Sequence, residues 1–533
     1  MKHTDECAFV NGEIFTSNLQ QPYANAMVVR DNKIVWIGDQ ADLEDAKREV
    51  IDLQGRRVLP GFIDAHLHPL YLAKVSNQIS CMPPIVHSIQ ELIEKVREQI
   101  DVEGTQGWIE SWGYDEGKLA EGRAPTRWDL DQASTEVPIV ITRTCGHIVS
   151  VNSKALELAG IHKETQNPLG GEIDKDTTGV PTGILRENAK DLVKKVMPAE
   201  SFEENATTLA NLSPKLLAHG ITGITEMMAK SDPEDYLEIY NEAKTKGLKQ
   251  RTVLYYIWED LIDKPFIETN RLNKENQIYI GGIKLFSDGS VSGQTAWVET
   301  SFIGENENFG IQTTSREELL AAADAAEQNG IQLVVHAMGE QAIDLIVNTL
   351  YKKKGWLTDS PSIRIEHAAM PTKQAISRAS EAGIAFVPQP IFLYAEIESY
   401  LKNLGAERTK KTYPVKTMLD AGIKVAFSSD APATAWADPV NPFVGIKSAV
   451  TRTAYDGTDT GRDQRVDLPT AISLYTRAAQ EVTGIPNIGQ LAPGYFADFI
   501  VLDRDILNIN PEEIDQIRVQ ETYMNGQLVY QRK

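Results

Sequence analysis

Two histidines separated by one residue, His66 and His68, follow an apolar run at residues 61–65 and precede Pro69. The apolar run predicts a short buried strand, and Pro69 marks its end. Residues two positions apart on a strand lie on the same face, so the two imidazoles point the same way. Imidazole nitrogen is a preferred ligand of zinc. The pair therefore indicates a metal site, although such pairs also occur among ordinary surface residues.

Four further polar residues lie on predicted strands later in the chain. Lys284 lies within one strand, and His336, His367 and Asp430 each close another. Taken singly, a histidine that closes a strand is an ordinary hydrogen-bonded residue, Lys284 a surface lysine and Asp430 a turn cap. Taken with the first histidine pair, the set is large enough to hold two metal ions.

Lys284 needs a chemical explanation, because an ammonium group is not a metal ligand. Burial beside two cations would lower the pKa of the amine, which could then capture carbon dioxide as a carbamate. The carbamate would bridge two zinc ions. One ion would be held by His66, His68 and Asp430, and the other by His336 and His367. A bridging water would have a pKa near ~7 and ionise to hydroxide. Asp430 would be the general base that passes the proton to a leaving nitrogen.

A repeating pattern of helix and strand, which starts near residue 207, would position these residues. Apolar runs predict seven strands, at residues 221–226, 251–257, 282–286, 331–336, 363–367, 384–388 and 424–430. With the strand before His66 they make eight, which is the pattern of an α/β protein with a (β/α)₈ TIM barrel. The carboxyl ends of barrel strands meet at one mouth, so we expect the polar residues to come together there.

Different patterns occupy the two ends of the chain and the region after His68. Short strands with turn signals, such as Asn11-Gly12 and Asn525-Gly526, predict hairpins. We expect a composite β-sandwich domain at residues 1–59 and 485–533 around a barrel at 60–484. Residues 71–204 mix glycine, proline, aromatic and charged residues without a sustained helical period, which predicts a large insertion that could cover the site.

The composition restricts the partners. The 533 residues carry a net charge of -22, which argues against nucleic acid or an anionic membrane surface. Three cysteines without a CxxC spacing favour a reducing compartment. No signal peptide or membrane-spanning run is apparent. We expect a cytoplasmic enzyme with a small-molecule substrate and, as the default, a homodimer.

Three residues of the insertion are candidates for contact with a substrate. His147 could donate a hydrogen bond to a scissile carbonyl oxygen, or be a loop histidine satisfied by the backbone. Trp112 and Tyr114 could line an apolar pocket, or form the core of the insertion. Glu366, in contrast, is expected to face away from the metal if its strand is regular.

The motif at residues 60–68, together with Lys284, His336, His367 and Ser429-Asp430, resembles the amidohydrolase superfamily of metal-dependent hydrolases. Segments at 146–156, 170–173, 181–183 and 284–290 resemble its YtcJ-like, amidohydrolase-3 branch, which includes N-substituted formamide deformylases. The resemblance implies a TIM-barrel enzyme with zinc and hydroxide attack on a carbon–nitrogen bond, usually an amide. It assigns the ligand roles to His66, His68, Lys284, His336, His367 and Asp430.

Two departures from the branch concern substrate contacts. Residues 291–294 read Val-Ser-Gly-Gln where the branch has Leu-Gly-Ser-Arg, and Lys175 stands where arginine is common. The favoured function is hydrolysis of an N-acyl or N-formyl bond. The alternatives are attack on a cyclic amide, deamination of a ring or ester hydrolysis at the same metals, or a regulatory protein that has kept the fold without the chemistry. The last should have lost a ligand or the aspartate, and neither is missing.

Overall fold

The computed structural model describes residues 6–45, 47–76, 78–104, 107–144, 146, 148–168, 171–198, 200–262, 268–304 and 307–533. The chain divides into two compact units. The first unit comprises Met1–Pro69, Leu209–Asp430 and Val440–Lys533, and the second comprises Leu70–Thr208 and Ala431–Pro439. Within the described ranges, no helix has the length and apolar character needed to cross a membrane.

A seven-stranded parallel sheet forms the centre of the first unit, and its strands pair in sequence order. We number them β1 (Phe62–Leu67), β2 (Ile221–Ala229), β3 (Arg251–Ile257), β4 (Ile278–Phe286), β5 (Gln332–Ala337), β6 (Ile363–His367) and β7 (Ala385–Val387). They are buried on both faces and rich in apolar residues, as expected of parallel strands covered by helices. The structure confirms the predicted barrel strands from β1 to β7.

The predicted eighth strand, at residues 424–430, is not a regular strand. Val425 forms a single parallel bridge to Phe386 of β7, and the amide of Asp430 donates to the His66 carbonyl of β1 over 2.8 Å. The Ala426 amide donates to the Phe386 carbonyl, but two amides nearer Asp430 have acceptors outside the ladder: Phe427 donates to the Leu474 carbonyl, and Ser429 donates to an Asp64 carboxylate oxygen. The segment therefore touches both edges of the sheet and nearly closes the barrel without a continuous ladder.

The α-helices alternate with the later barrel strands and continue after them. Arg316–Asn329, which precedes β5, begins at the N-cap Ser315, whose side chain accepts from the Glu318 amide, and ends at Gly330 with φ 62°. The α-helices span Pro69–Ser76, Ile89–Glu103, Arg127–Asp131, Ser153–Leu158, Asp191–Lys194, Phe202–Ala218, Tyr236–Lys246, Arg316–Asn329, Glu340–Leu350, Lys373–Ala382, Pro390–Ala395, Ile397–Leu404, Ala406–Thr409, Val415–Asp420, Pro442–Thr451, Leu468–Leu474 and Arg477–Thr483.

Two further sheets of the first unit draw strands from both ends of the chain. One contains Lys33–Gly38, Ala26–Arg30, Glu6–Val10 and Glu49–Asp52, in spatial order, and the other contains Gln527–Gln531, Val519–Met524, Phe499–Leu502, Arg57–Pro60, Glu13–Phe15 and Tyr23–Ala24. Residues of both sheets, such as Phe9 and Phe499, share one apolar core. This packing makes them a composite β-sandwich.

The two predicted hairpins have different outcomes. The structure confirms the turn at Asn525-Gly526, because Val519–Met524 and Gln527–Gln531 pair antiparallel. The prediction of a hairpin at Asn11-Gly12 is wrong, since the strands on either side of this turn belong to different sheets. Asn11 has φ 54°, and its turn carries the chain from one layer of the sandwich to the other.

The second unit has its own sheet and core. The spatial order of its six strands is Gly171–Lys175, Pro181–Glu187, Ile148–Val151, Ile139–Arg143, Ile109–Tyr114 and Ile79–Ser80. The sequence predicts no sustained helix in this region. That prediction is wrong for Ile89–Glu103, which is a 15-residue helix with Ser88 as its N-cap. Leu92 and Val96 of this helix pack into a core with Ile109 and Tyr114.

Candidate metal centre

Three buried side chains converge at the end of β1. His66 Nε2 and His68 Nε2 lie 3.2 and 2.9 Å from the same oxygen of Asp430, Oδ1. One ligand atom from each of the three residues falls within 4.8 Å of the other two. Side chains alternate between the two faces of β1, so both histidines lie on one face. The hydrogen bond from the Asp430 amide to the His66 carbonyl holds the aspartate beside them.

The hydrogen bonds behind His66 fix which of its nitrogens faces the cluster. Glu366 accepts two hydrogen bonds from Arg364, at 2.8 and 3.1 Å, so it is a carboxylate and acts only as an acceptor. Its Oε2 lies 2.6 Å from His66 Nδ1, which therefore donates. His66 Nε2 is then the nitrogen that faces Asp430 Oδ1, at 3.2 Å. A cation at this point, either a proton or a metal ion, would contact both atoms. The donor set thus fits a metal ion.

His68 gives a second indication that the cluster attracts positive charge. Burial opposes protonation, yet the carboxylates of Asp430 and Glu226 raise the pKa of His68 to about 9. Its Nδ1 is buried, has no hydrogen-bond partner among the described residues and lies 3.8 Å from Glu226 Oε1. The surroundings of His68 therefore stabilise a bound cation, whether proton or metal.

The other two predicted histidine ligands lie next to this cluster. The ring centroids of His336 and His367 are 4.3 Å apart, and those of His66 and His367 are 4.9 Å apart. His336 Nε2 donates to the Gly289 carbonyl over 3.0 Å. His367 Nδ1 lies 2.8 Å from Gln389 Oε1 and donates to it. Each ring thus keeps its second nitrogen unprotonated for a metal.

Burial keeps these two histidines neutral. It lowers the pKa of His336 to about 3, with a further contribution from the positive charge of Lys284. It also holds the pKa of His367 well below its usual value, where His336 adds to the effect. Neutral imidazole is the form that binds metal.

Lys284 is a fully buried residue of β4. Burial lowers the pKa of its ammonium group to about 8, against the opposing attraction of the Glu366 and Asp430 carboxylates. Roughly a tenth of the amine is therefore neutral at pH 7, and only the neutral amine reacts with carbon dioxide. Asp430 is also buried, yet His66 and His68 hold its pKa well below the usual value of an aspartate, so it is ionised.

Two of the candidate ligands have left-handed backbone conformations, His367 with φ 66° and Asp430 with φ 55°. This conformation is strained for residues other than glycine and is concentrated at functional sites. At His367 it ends the regular alternation of β6. Glu366, which the sequence predicts to face away from the metal, contacts His66 Nδ1, the nitrogen opposite the one that faces Asp430.

The sequence analysis missed several residues that hold the ligands in place. They are Asp64, which accepts hydrogen bonds from Ser429, together with Glu226, Arg364 and Gln389. A signal existed for one pair. Arg364 and Glu366 are two residues apart on a strand that is otherwise apolar, so both had to point into the same interior and pair there.

Of the three predicted residues of the insertion, Trp112 and Tyr114 lie in or beside the second unit's core. Tyr114 is fully buried, and Ser150 donates to its hydroxyl over 3.2 Å. Trp112 is 4% exposed and packs edge-on against Tyr71, with ring centroids 5.1 Å apart. His147 lies outside the described residues. Roles for these residues in substrate contact stay predictions.

Comparison with known proteins finds a matching family model and similar sequences. The amidohydrolase family model matches residues 49–530. YtcJ of Bacillus subtilis (strain 168) is 28% identical over 98% of both chains. The N-substituted formamide deformylase of Arthrobacter pascens is 26% identical, over 100% of this chain and 99% of its own.

A solved structure agrees with these matches. An uncharacterized metal-dependent hydrolase from Pyrococcus horikoshii OT3 superposes with a TM-score of 0.75 at 26% identity, and the match covers 95% of this chain and 99% of that one. The family match spans most of the chain and includes both β1 and the Asp430 segment. The chain therefore belongs to the amidohydrolase family of metal-dependent hydrolytic enzymes.

Proposed function

We propose that this protein is a zinc-dependent hydrolase that cleaves a non-peptide carbon–nitrogen bond, an amide with an N-acyl or N-formyl group, in a small molecule. The observation that carries the proposal is the buried convergence of His66, His68 and Asp430, in which the Nε2 atoms of both histidines lie within 3.2 Å of one carboxylate oxygen. The full-length similarity to a protein named N-substituted formamide deformylase supports the choice of bond.

The residues that would hold zinc are those gathered at the carboxyl ends of the barrel strands: His66, His68, Lys284, His336, His367 and Asp430. Zinc supplies Lewis acidity, which polarises a carbonyl group and lowers the pKa of a bound water to about 7. Imidazole and carboxylate donors suit zinc, and the two neutral, buried histidines are already in the form that binds it.

Asp430 is the proposed general base. It is a carboxylate at neutral pH, so it can accept the proton of the attacking water and later give it to the leaving nitrogen. One of its oxygens faces His66 and His68, and the other lies 3.9 Å from His367 Nδ1. The first oxygen therefore faces the candidate centre, as a base in this reaction requires.

Lys284 is the proposed bridging group. Its neutral amine would add to carbon dioxide, forming an N–C bond and releasing one proton, to give a carbamate with two oxygens. The burial that lowers the pKa of the amine also shields the product from water.

Two aromatic rings stand next to the candidate ligands and would form an apolar wall for the substrate. Phe392 stacks on His367, with ring centroids 6.0 Å apart and planes 11° apart. Phe286, two residues beyond Lys284 on β4, lies 5.5 Å from the His336 ring. Such a wall suits an apolar substituent on the amide.

A substrate panel tests the proposal. The zinc-loaded full-length chain would be assayed with matched N-formyl and N-acetyl amines, a cyclic amide, an aminated ring and an ester, with detection of the released amine or acid. We expect hydrolysis of the N-formyl or N-acyl amines, with the Asp420→Asn variant, which changes an exposed aspartate, as active as the wild type. Turnover confined to the ester, the cyclic amide or the aminated ring would refute the assignment of the bond.

A further inference from the structure

A cavity of about 500 Å³ lies within the first unit, between the β-sandwich and helices that follow the barrel strands. One side is the turn between the antiparallel strands Glu13–Phe15 and Tyr23–Ala24. The helices Leu468–Leu474 and Arg477–Thr483 and the beginning of the segment at 424–430 line the rest. None of the six candidate metal ligands lines this cavity, so it is distinct from the candidate metal centre. Its volume is in the range of small-molecule sites.

The buried part of the cavity lining is apolar. Four of the lining side chains are at most 5% exposed: Phe15, Ile423, Val425 and Leu474. Leu19 and Tyr23 also line the cavity, and they are 78% and 56% exposed. An apolar ligand in the cavity would cover these two side chains and remove them from water, which is favourable. The lining therefore suits a ligand with an apolar body.

One positive charge at the cavity is not compensated. Three charged residues of the described chain line it, and two of them pair, because Arg477 Nη1 lies 2.6 Å from Glu481 Oε1. The third, Lys424, is exposed, and its ammonium group has no hydrogen-bond or ion-pair partner among the described residues. The charge of the lining therefore favours an anionic ligand over a neutral or cationic one.

Asn18 adds a hydrogen-bond donor to the same lining. Its Oδ1 accepts from the Gln20 amide over 3.0 Å, which leaves its NH₂ group without a partner among the described residues. One ammonium group and one amide NH₂ group suit the two oxygens of a carboxylate. A phosphate ester would bring about two negative charges, which the single uncompensated lysine would not offset.

The cavity is connected to the segment that ends at Asp430. Val425, which lines the cavity, forms the single bridge from this segment to Phe386 of β7. The carbonyl of Leu474, another lining residue, accepts from the Phe427 amide over 2.9 Å. A ligand packed against these two side chains would hold the segment against the neighbouring strand and helix.

We propose that this cavity binds a small monocarboxylate with an aliphatic body, and that the bound ligand stabilises the segment at 424–430. Lys424 and Asn18 would bind the carboxylate, and the buried apolar side chains would contact the body. The site would thereby link the position of Asp430 to a ligand outside the candidate metal centre. Binding here does not require the proposed hydrolysis, so either can fail without the other.

Titration calorimetry of the full-length protein with octanoate, octan-1-ol, octylamine and acetate tests the site. Octanoate should bind saturably to a single site per chain, about 10-fold more tightly than octan-1-ol, because the alcohol lacks the charge that Lys424 attracts. Octylamine should bind more weakly than the alcohol, and acetate, which has no apolar body, should show no binding. Lys424→Met should reduce the affinity for octanoate to that for octan-1-ol. Lys249→Met, the same change at an exposed lysine that does not line the cavity, should leave it unchanged.

Hydrogen exchange gives a second readout. Octanoate should slow exchange in peptides that contain residues 424–430 of the wild type and of Lys249→Met, but not of Lys424→Met. Octanoate that binds Lys424→Met as tightly as the wild type would place the site elsewhere and overturn the proposal. Unchanged exchange at saturating octanoate would overturn the stabilisation of the segment.

The alternative occupant of the cavity is a second copy of this chain. Sedimentation velocity of the wild type and Leu19→Ser would detect it, since Leu19 is the most exposed apolar side chain of the lining. A wild-type dimer that dissociates in Leu19→Ser, together with no binding of octanoate, would overturn the proposal in favour of an interface between copies. The expected result is the same sedimentation coefficient for both proteins.

Discussion

The main-chain amide of Asp430 donates to the main-chain carbonyl of His66, with nitrogen and oxygen 2.8 Å apart. This bond joins the last barrel segment to the first strand and thereby brings together two residues that are 364 positions apart in the chain. The side chains of the same two residues meet over 3.2 Å. Closure of the barrel and assembly of the candidate metal centre are thus one structural event.

Asp430→Asn tests the role of the general base. Asparagine tolerates the left-handed backbone that residue 430 adopts, so the fold should survive. It cannot accept a proton, and its amide is a poor metal ligand, so kcat should fall by at least ~10²–10⁴-fold. Steady-state kinetics would be compared with Asp420→Asn, and circular dichroism would verify the fold. Unchanged turnover in a folded Asp430→Asn protein would remove the aspartate from the mechanism.

Lys284→Ala tests the proposed bridge. Without the carbamate, the group of His66, His68 and Asp430 and the pair of His336 and His367 would have no ligand in common, so the metal content should fall from about two zinc ions per chain to about one or fewer. Elemental analysis of protein purified without chelator gives the count, and Lys249→Ala, a change at an exposed lysine, is the control. If Lys284→Ala kept both its metal and its turnover, the lysine would have a structural role.

Arg364→Met tests the buried ion pair behind His66. The guanidinium of Arg364 is fully buried and also donates to the Ala65 carbonyl over 2.6 Å. Its removal leaves the Glu366 carboxylate without a counter-charge, and breaking such a pair typically costs ~3–5 kcal/mol. The urea midpoint should therefore fall markedly.

The double variant Arg364→Met/Glu366→Leu separates stability from metal binding. It removes both charges from the interior, so the urea midpoint should recover in part, while zinc affinity should remain low because His66 has lost its carboxylate partner. An Arg364→Met protein as stable as the wild type would show that the ion pair does not support the fold.

Gly282→Ala tests the close approach of two barrel strands beside Lys284. A Cβ at position 282 would lie 2.4 Å from the Gln332 carbonyl oxygen on the neighbouring strand β5, so the strands must move apart. We expect a lower melting temperature and a loss of turnover, since Lys284 and His336 are on these two strands. Gly355→Ala, whose new Cβ would meet nothing nearer than 3.5 Å, is the control. Equal melting temperatures of the two variants would contradict this account of the packing.

Most of the barrel could be predicted from the sequence because parallel strands that are buried on both faces are apolar runs of recognisable length. The candidate ligands could also be predicted, because the carboxyl ends of the strands of one barrel lie close together. The sequence could not show that Asn11-Gly12 leads from one sheet to another, since a turn between apolar runs looks the same in either case. Nor could it show that Glu366 contacts His66, because the two residues lie 300 positions apart on different strands.

The most direct test of the central claim is the reversible removal of metal during hydrolysis of an N-formyl amine. The purified protein would be treated with a chelator, dialysed and reloaded with zinc, and kcat/KM and zinc per chain would be measured at each stage. We predict that turnover disappears as the metal is removed and returns in proportion to the zinc restored. Full turnover in protein whose metal content has fallen to background would contradict a metal-dependent hydrolysis at His66, His68 and Asp430.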